Sequence, residues 1–148
     1  MQVRMVALSD PRVGPLLAGL SGEYEQRYGP TDVMADAHPE QFEAPAGAFV
    51  VLVEDEVTLA GGGFRRVDEQ TCEIKRMWTA PGHRRRGYAR TVLTELESRA
   101  AAAGYLRVRL ETGPMQPEAV ALYEVLGYQR IPVYGRYLEA WAFQRTLP

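Results

Sequence analysis

From Arg84 to Arg90 the chain reads RRRGYAR. Small residues at Gly87 and Ala89 bare the backbone where a helix is expected to begin. There the first amide N–H groups have no intrahelical acceptor and point outward. Together with the positive end of the helix dipole they make an anion site, to which Arg84, Arg85, Arg86 and Arg90 add charge. A phosphate or pyrophosphate is the ligand such a site takes. Lys75 and Arg76 fall in the same window, in a chain whose formal net charge is −2. Positive charge concentrated locally in an acidic protein suits a small polyanion and argues against a general nucleic-acid binder, which is normally basic overall. A solvated turn is the alternative, and the ordered elements on either side weigh against it.

Those elements are a strand before the turn and a helix after it. Residues 72–80 (CEIKRMWTA) read as a strand. Ala89, Val92, Leu93, Leu96, Ala100 and Ala103 share one helical face, and Gly104 supplies the left-handed residue that closes such a helix. Tyr105 to Glu111 alternates Leu106, Val108 and Leu110 with Arg107, Arg109 and Glu111, a strand the helix can join in parallel to the first. Upstream, Ala48 to Glu54 is apolar on both faces and therefore central. Val57 to Arg66 carries Gly61, Gly62 and Gly63, which call for a bulge or a close backbone approach. A first strand is expected over Val3 to Leu8, and a first helix from an N-cap at Ser9 or Asp10 to Tyr28. Thr31 to Gly47 is polar and aperiodic, a loop or short irregular helix. Glu118 to Leu126 is a short helix closed by Gly127, and 128–134 and 139–146 are two more strands. The fold class is α/β in the α+β sense, one domain over residues 1–148. Its mixed central sheet has antiparallel N-terminal strands, then β-α-β-α and a C-terminal β-hairpin.

Other classes are excluded by composition. No apolar run approaches the roughly 18 residues of a membrane helix, and the N-terminus lacks a signal peptide's apolar region, so a cytoplasmic protein without a membrane partner is expected. Cys72 is the only cysteine, and His38 and His83 are the only histidines, so neither an internal disulfide nor a metal site is expected.

The pattern Arg84-x-x-Gly87-x-Ala89 resembles the acyl-CoA signature (Gln/Arg-x-x-Gly-x-Gly/Ala) of the GNAT superfamily of N-acetyltransferases. A second segment, Gln116 to Tyr128 (QPEAVALYEVLGY), resembles that superfamily's Asn-x-x-Ala-x-x-Leu-Tyr-x-x-x-Gly-Phe stretch. It agrees at Ala119, Leu122, Tyr123 and Gly127, with Gln116 replacing the usual Asn. LETG from Leu110, QPEA from Gln116 and IPVYGRY from Ile131 look like a bacterial subgroup of small acetyltransferases of mostly unassigned substrate. The resemblance covers roughly Phe49 to the C-terminus, and more loosely the whole chain.

What the resemblance implies is acetyl-CoA as co-substrate. It would be held by Met77, Trp78 and Thr79 on the strand, by Arg84, Arg85, Arg86, Gly87, Tyr88, Ala89 and Arg90 at the helix start, and by Gln116 and Tyr123. In acetyl transfer a neutral amine attacks the thioester, an oxyanion develops and a thiolate leaves. By resemblance Tyr123 is the acid beside that sulfur; its alternative is a packing aromatic. Glu73 and Glu111 are candidate bases where the two strands part, with Glu73 favoured; salt bridges to Lys75, Arg107 or Arg109 are the alternative. Tyr24, Tyr28 and His38, with Tyr134 and Tyr137 from the C-terminal hairpin, are candidates for acceptor contacts, or else packing and surface residues.

The expected activity is direct acetyl transfer, in a ternary complex, to the primary amine of a small molecule or peptide, by a monomer or homodimer. The acidic net charge and the candidate carboxylates lean toward a small cationic amine or a peptide N-terminus. A non-catalytic acyl-CoA sensor of the same fold is the alternative. A nucleotide-binding module ranks far behind, since no Gly-x-x-x-x-Gly-Lys-Ser/Thr pattern occurs.

Overall fold

Apolar runs that are buried on both faces form the middle of a seven-stranded sheet in the computed structural model, which describes residues 1–29, 38–113, 117–135 and 139–148. The strands are β1 (Gln2–Met5), β2 (Ala48–Glu54), β3 (Val57–Arg66), β4 (Thr71–Thr79), β5 (Arg107–Thr112), β6 (Gln129–Ile131) and β7 (Trp141–Thr146). The helices are α1 (Gly14–Tyr28), α2 (Tyr88–Ala102) and α3 (Pro117–Val125), with 3-10 turns at Pro11–Val13 and Pro39–Phe42. Strand order is β1-β2-β3-β4-β5-β7-β6, antiparallel everywhere but at the β4–β5 pair. The sheet is thus mixed, as expected. The C-terminal hairpin joins it through its second strand, so β7 lies between β5 and β6.

Each face of the sheet has its own core. On one side Ala48, Val50, Leu52, Cys72, Ile74, Val108 and Leu110 pack against Val92, Leu93, Leu96 and Ala100 of α2 and Val120 and Tyr123 of α3. On the other, Phe49, Val51 and Trp78 pack against Leu16 and Leu20 of α1 and Phe42. Burying each large aliphatic side chain contributes about 1.5–3 kcal/mol, so the strict alternation of β2 anchors both layers. The first strand ends at Met5 rather than Leu8, because Val6 and Leu8 turn into the α1 core. The expected strand over 128–134 stops at Ile131, where Pro132 has no N–H to offer the ladder. Helix α2 closes on Gly104: the Tyr105 amide donates to Ala100 and the Gly104 amide to Ala101, the Schellman arrangement.

The three glycines of β3 have distinct reasons. Gly61 and Gly63 leave no room for a Cβ against Leu16 and Val50, and against Phe42, Phe49 and Ala48. Gly62 faces a bulge in β4: Gly61 pairs with Trp78 and Gly63 with Lys75, so Arg76 and Met77 together oppose one glycine. Arg76 takes a left-handed φ of 61° there. Just before this bulge β4 and β5 part. Their parallel pairing covers Thr71–Ile74 against Arg107–Leu110, after which β4 continues against β3.

Candidate active site

The parting strands open a cleft of about 500 Å³ between β4, β5, α1, the start of α2 and α3. At one end the turn from Pro81 delivers the chain into α2. Arg85 and Gly87 both adopt left-handed φ, 65° and 80°, with Gly87 as the N-cap. The Gly87 backbone, Tyr88, Ala89 and Arg90 line the cleft with Arg84 and Arg85, so the acceptor-less amides of a 15-residue helix begin at its wall. Arg84 is braced: its Nε donates to the Thr79 carbonyl at 3.3 Å and its guanidinium pairs with Glu23 of α1. His83 stacks on Tyr88. Arg86 is exposed and does not line the cleft.

The middle of the cleft is apolar, formed by Met77, Trp78, Leu110, Ala119, Leu122 and Tyr123. Tyr123 is 5% exposed and packs on the rings of Tyr128 and Phe143 at 5.7 and 6.1 Å. Burial, and to a smaller extent Tyr24, pushes its phenol well above the ordinary range. It is therefore a neutral O–H at physiological pH, a hydrogen-bond donor whose burial disfavours the charged phenolate.

At the other end stand the two candidate carboxylates, Glu111 in the wall and Glu73 behind it. Glu73 is 4% exposed and fully engaged: Arg65 Nε donates to Oε1 at 3.1 Å and the Tyr134 hydroxyl to Oε2 at 2.8 Å. Arg65 also donates to Gln41 at 3.2 Å, and the Arg109 guanidinium lies 3.7 Å from the centre of the Tyr134 ring. Neither Glu73 nor Tyr134 lines the cleft. Glu111 does, and its Oε2 is buried without a hydrogen-bond partner. Burial first, then the charge of Glu73, raises its carboxyl above the usual carboxylate range; Lys75, Arg109 and the Gly135 amide oppose the rise. The Gly135 backbone sits so close to the Glu111 carboxylate that no Cβ fits between them.

Of the sequence candidates, the structure brings Met77, Trp78, Thr79, Arg84, Arg85, Gly87, Tyr88, Ala89, Arg90, Glu111, Tyr123 and Tyr24 to one cleft. His38 is exposed, 3.9 Å from Glu40, and apart from it. Gln116, Tyr137 and the side chain of Tyr28 lie outside the described residues. Glu23 and Arg27 also line the cleft; their i,i+4 spacing beside Tyr24 is the only sign of it in the sequence. Cys72 is 0% exposed, and burial lifts its thiol to about 12, so it is no nucleophile. Among the described residues no group of His, Cys, Asp and Glu is arranged to hold a metal ion, and no helix is long and apolar enough to cross a membrane.

Residues 17–128 match the family model described as "Acetyltransferase (GNAT) family". The chain is 27% identical over 135 residues to the "Uncharacterized N-acetyltransferase YjgM" of Escherichia coli, covering 86% of this chain and 81% of that protein. Its fold superposes on an acetyltransferase from Streptococcus agalactiae with a TM-score of 0.84 at 16% identity, over 99% and 98% of the two chains. A GNAT family acetyltransferase from Elizabethkingia anophelis, solved with acetyl-CoA bound, superposes with a TM-score of 0.71 at 14% identity, over 99% and 97%. The family match spans most of the chain and includes both the α2 turn and the Tyr123 segment: this protein belongs to the GNAT acetyltransferase family and is an acyltransferase of the N-acetyltransferase type.

Proposed function

We propose that the protein moves an acetyl group from acetyl-CoA to the primary amine of a small molecule or peptide, by direct attack in a ternary complex. One observation carries this reading: a single continuous cleft joins a helix N-terminus suited to phosphates, an apolar neck holding a neutral tyrosine, and a buried carboxylate oxygen lacking a donor. The site fits the co-substrate on chemistry, charge at one end and apolar walls in the middle, and a neighbour of the same fold was solved with acetyl-CoA bound.

Acetyl-CoA supplies the activated thioester. The amides of Gly87 to Arg90, with Arg84, Arg85 and Arg90, bind its phosphates. Met77, Leu110, Ala119 and Leu122 exclude water from its arm. The Tyr123 hydroxyl donates a hydrogen bond to the departing sulfur and passes it a proton as the C–S bond breaks, its phenolate regaining a proton from solvent when the thiol leaves; burial makes that transfer costly, so the hydrogen bond to the developing thiolate is the larger part of its role. Glu111 Oε2 takes the proton of the incoming amine; a carboxyl raised toward neutrality is a stronger base than an ordinary one. Glu73, held by Arg65 and Tyr134, acts as a fixed charge behind it. The test is free-thiol release from acetyl-CoA across amino acids, polyamines, aminoglycosides and peptides. Turnover by the wild type and a loss in kcat of about ten-fold or more in Tyr123→Phe, at similar acetyl-CoA affinity, supports the reading. Acetyl-CoA binding without thiol release from any acceptor replaces it with a sensor.

A further inference from the structure

We infer that Tyr128 and Glu97 are positioning residues for the reaction: the hydrogen bond between them holds the Tyr123 hydroxyl where the departing sulfur needs it. This rests on the acetyl-transfer reading and adds to it two residues that do not line the cleft. The family stretch that Gln116 to Tyr128 resembles ends in Gly-Phe, and this chain has Tyr128 in that last place. A phenol therefore stands where a plain ring would fill the same core, and its hydroxyl needs a reason.

That reason lies on α2. Tyr128 is 4% exposed and donates its hydroxyl to Glu97 Oε2 at 2.7 Å. Burial first, then the bond to Glu97, holds its phenol above the ordinary range, so it remains the donor. Arg145 of β7 grips the same carboxylate, its Nη1 donating to Oε1 at 3.0 Å and to Oε2 at 3.1 Å. Glu97 thus ties α2 to β7 and to the segment that follows α3. Charge-assisted hydrogen bonds of this kind are short and directional, so they fix where the Tyr128 ring points.

Tyr128 passes that direction to Tyr123 at two points. Its amide donates to the Tyr123 carbonyl at 3.0 Å as α3 closes on Gly127, which takes a left-handed φ of 90°. Its ring packs on the Tyr123 ring, 5.7 Å between centres, with Phe143 at 6.1 Å. A misplacement of about 1 Å at a reacting group can cost roughly 10²-fold in rate. The hydroxyl at the far end of a tyrosine moves that far for a small tilt of the ring. Helix α2, whose first amides are proposed to hold the phosphates, thereby also anchors the tyrosine that meets the sulfur, about two and a half turns further on.

A double-mutant cycle tests this, with thiol release from acetyl-CoA measured on the amine of the panel that wild type turns over fastest. Tyr128→Phe keeps the ring against Tyr123 and removes only the bond to Glu97. Its kcat should fall about three-fold or more, while acetyl-CoA affinity by calorimetry stays within about two-fold of wild type. In a Tyr123→Phe background, where no hydroxyl is left to place, the same change should cost nothing further. If Tyr128→Phe fails to fold, Glu97→Ala in the same two backgrounds decides. An unchanged kcat in Tyr128→Phe, or an equal loss in both backgrounds, overturns the inference and leaves acetyl transfer standing. An unchanged kcat in Tyr123→Phe alone removes Tyr123 from the acetyl-transfer reading, and the inference falls with it. Turnover of no amine at all overturns that reading as a whole.

Discussion

The two ends of the cleft are made of different material. The end proposed for the phosphates is backbone, drawn from one contiguous stretch, with Arg85 and Gly87 in left-handed conformations and the amides of α2 following. The end proposed for the acceptor is side chains from α1, β3, β4, β5 and the segment after β6, far apart in sequence and joined only by the fold. Amides are supplied by any residue, so the first end depends on space and local conformation. The second depends on the identity of each group, since burial first, then Glu73, against Lys75, Arg109 and the Gly135 amide, sets where the Glu111 carboxyl ionises.

This contrast can be broken at its backbone end first, with the largest effect. Gly87→Glu adds bulk and negative charge where phosphates approach, although open space around the Cβ position leaves the fold little to resist. The left-handed φ costs about 1–2 kcal/mol, whereas acetyl-CoA affinity measured by calorimetry should fall beyond detection. Retained affinity in a folded variant breaks the assignment. Glu111→Gln comes next. It keeps size and hydrogen bonding but removes the base, and kcat/KM should drop roughly 10²-fold while acetyl-CoA binding is unchanged.

The smallest effect is the most discriminating. Glu73 is one reason the Glu111 carboxyl lies high, so Glu73→Gln removes a like charge and lets Glu111 ionise at lower pH. Since the base acts ionised, the acidic limb of kcat/KM against pH should move to lower pH. A loss of activity at low pH instead would make Glu73 the base and Glu111 its bystander.

The same contrast governs what could be read from the chain. Arg84 to Ala89 was legible because a strand, turn and helix in sequence order dictate their own geometry. Tyr123 was legible as a position, through the spacing of its segment, but not as a buried phenol wedged against Tyr128 and Phe143. The different surroundings of Glu73 and Glu111 were not: they depend on Arg65 and Tyr134 occupying one carboxylate and on where β4 and β5 stop pairing, which are tertiary facts. The glycine run of β3 did announce an irregularity, and the bulge at Arg76 and Met77 stands opposite it.

Cys72 sits in the middle of the sheet, paired with Arg66 on one side and Val108 on the other, and is sealed from solvent. Disulfide reagents react with the thiolate of an accessible cysteine, so the folded enzyme is silent toward them and adds no background to an assay that counts released thiol. The same burial makes its labelling rate a clock. Cys72 reacts only when β3, β4 and β5 separate, so the rate of modification in native buffer reports the free energy of opening the central sheet. One cysteine in the natural sequence thus serves as a built-in probe of global stability, against which every variant can be checked for folding before its kinetics are interpreted.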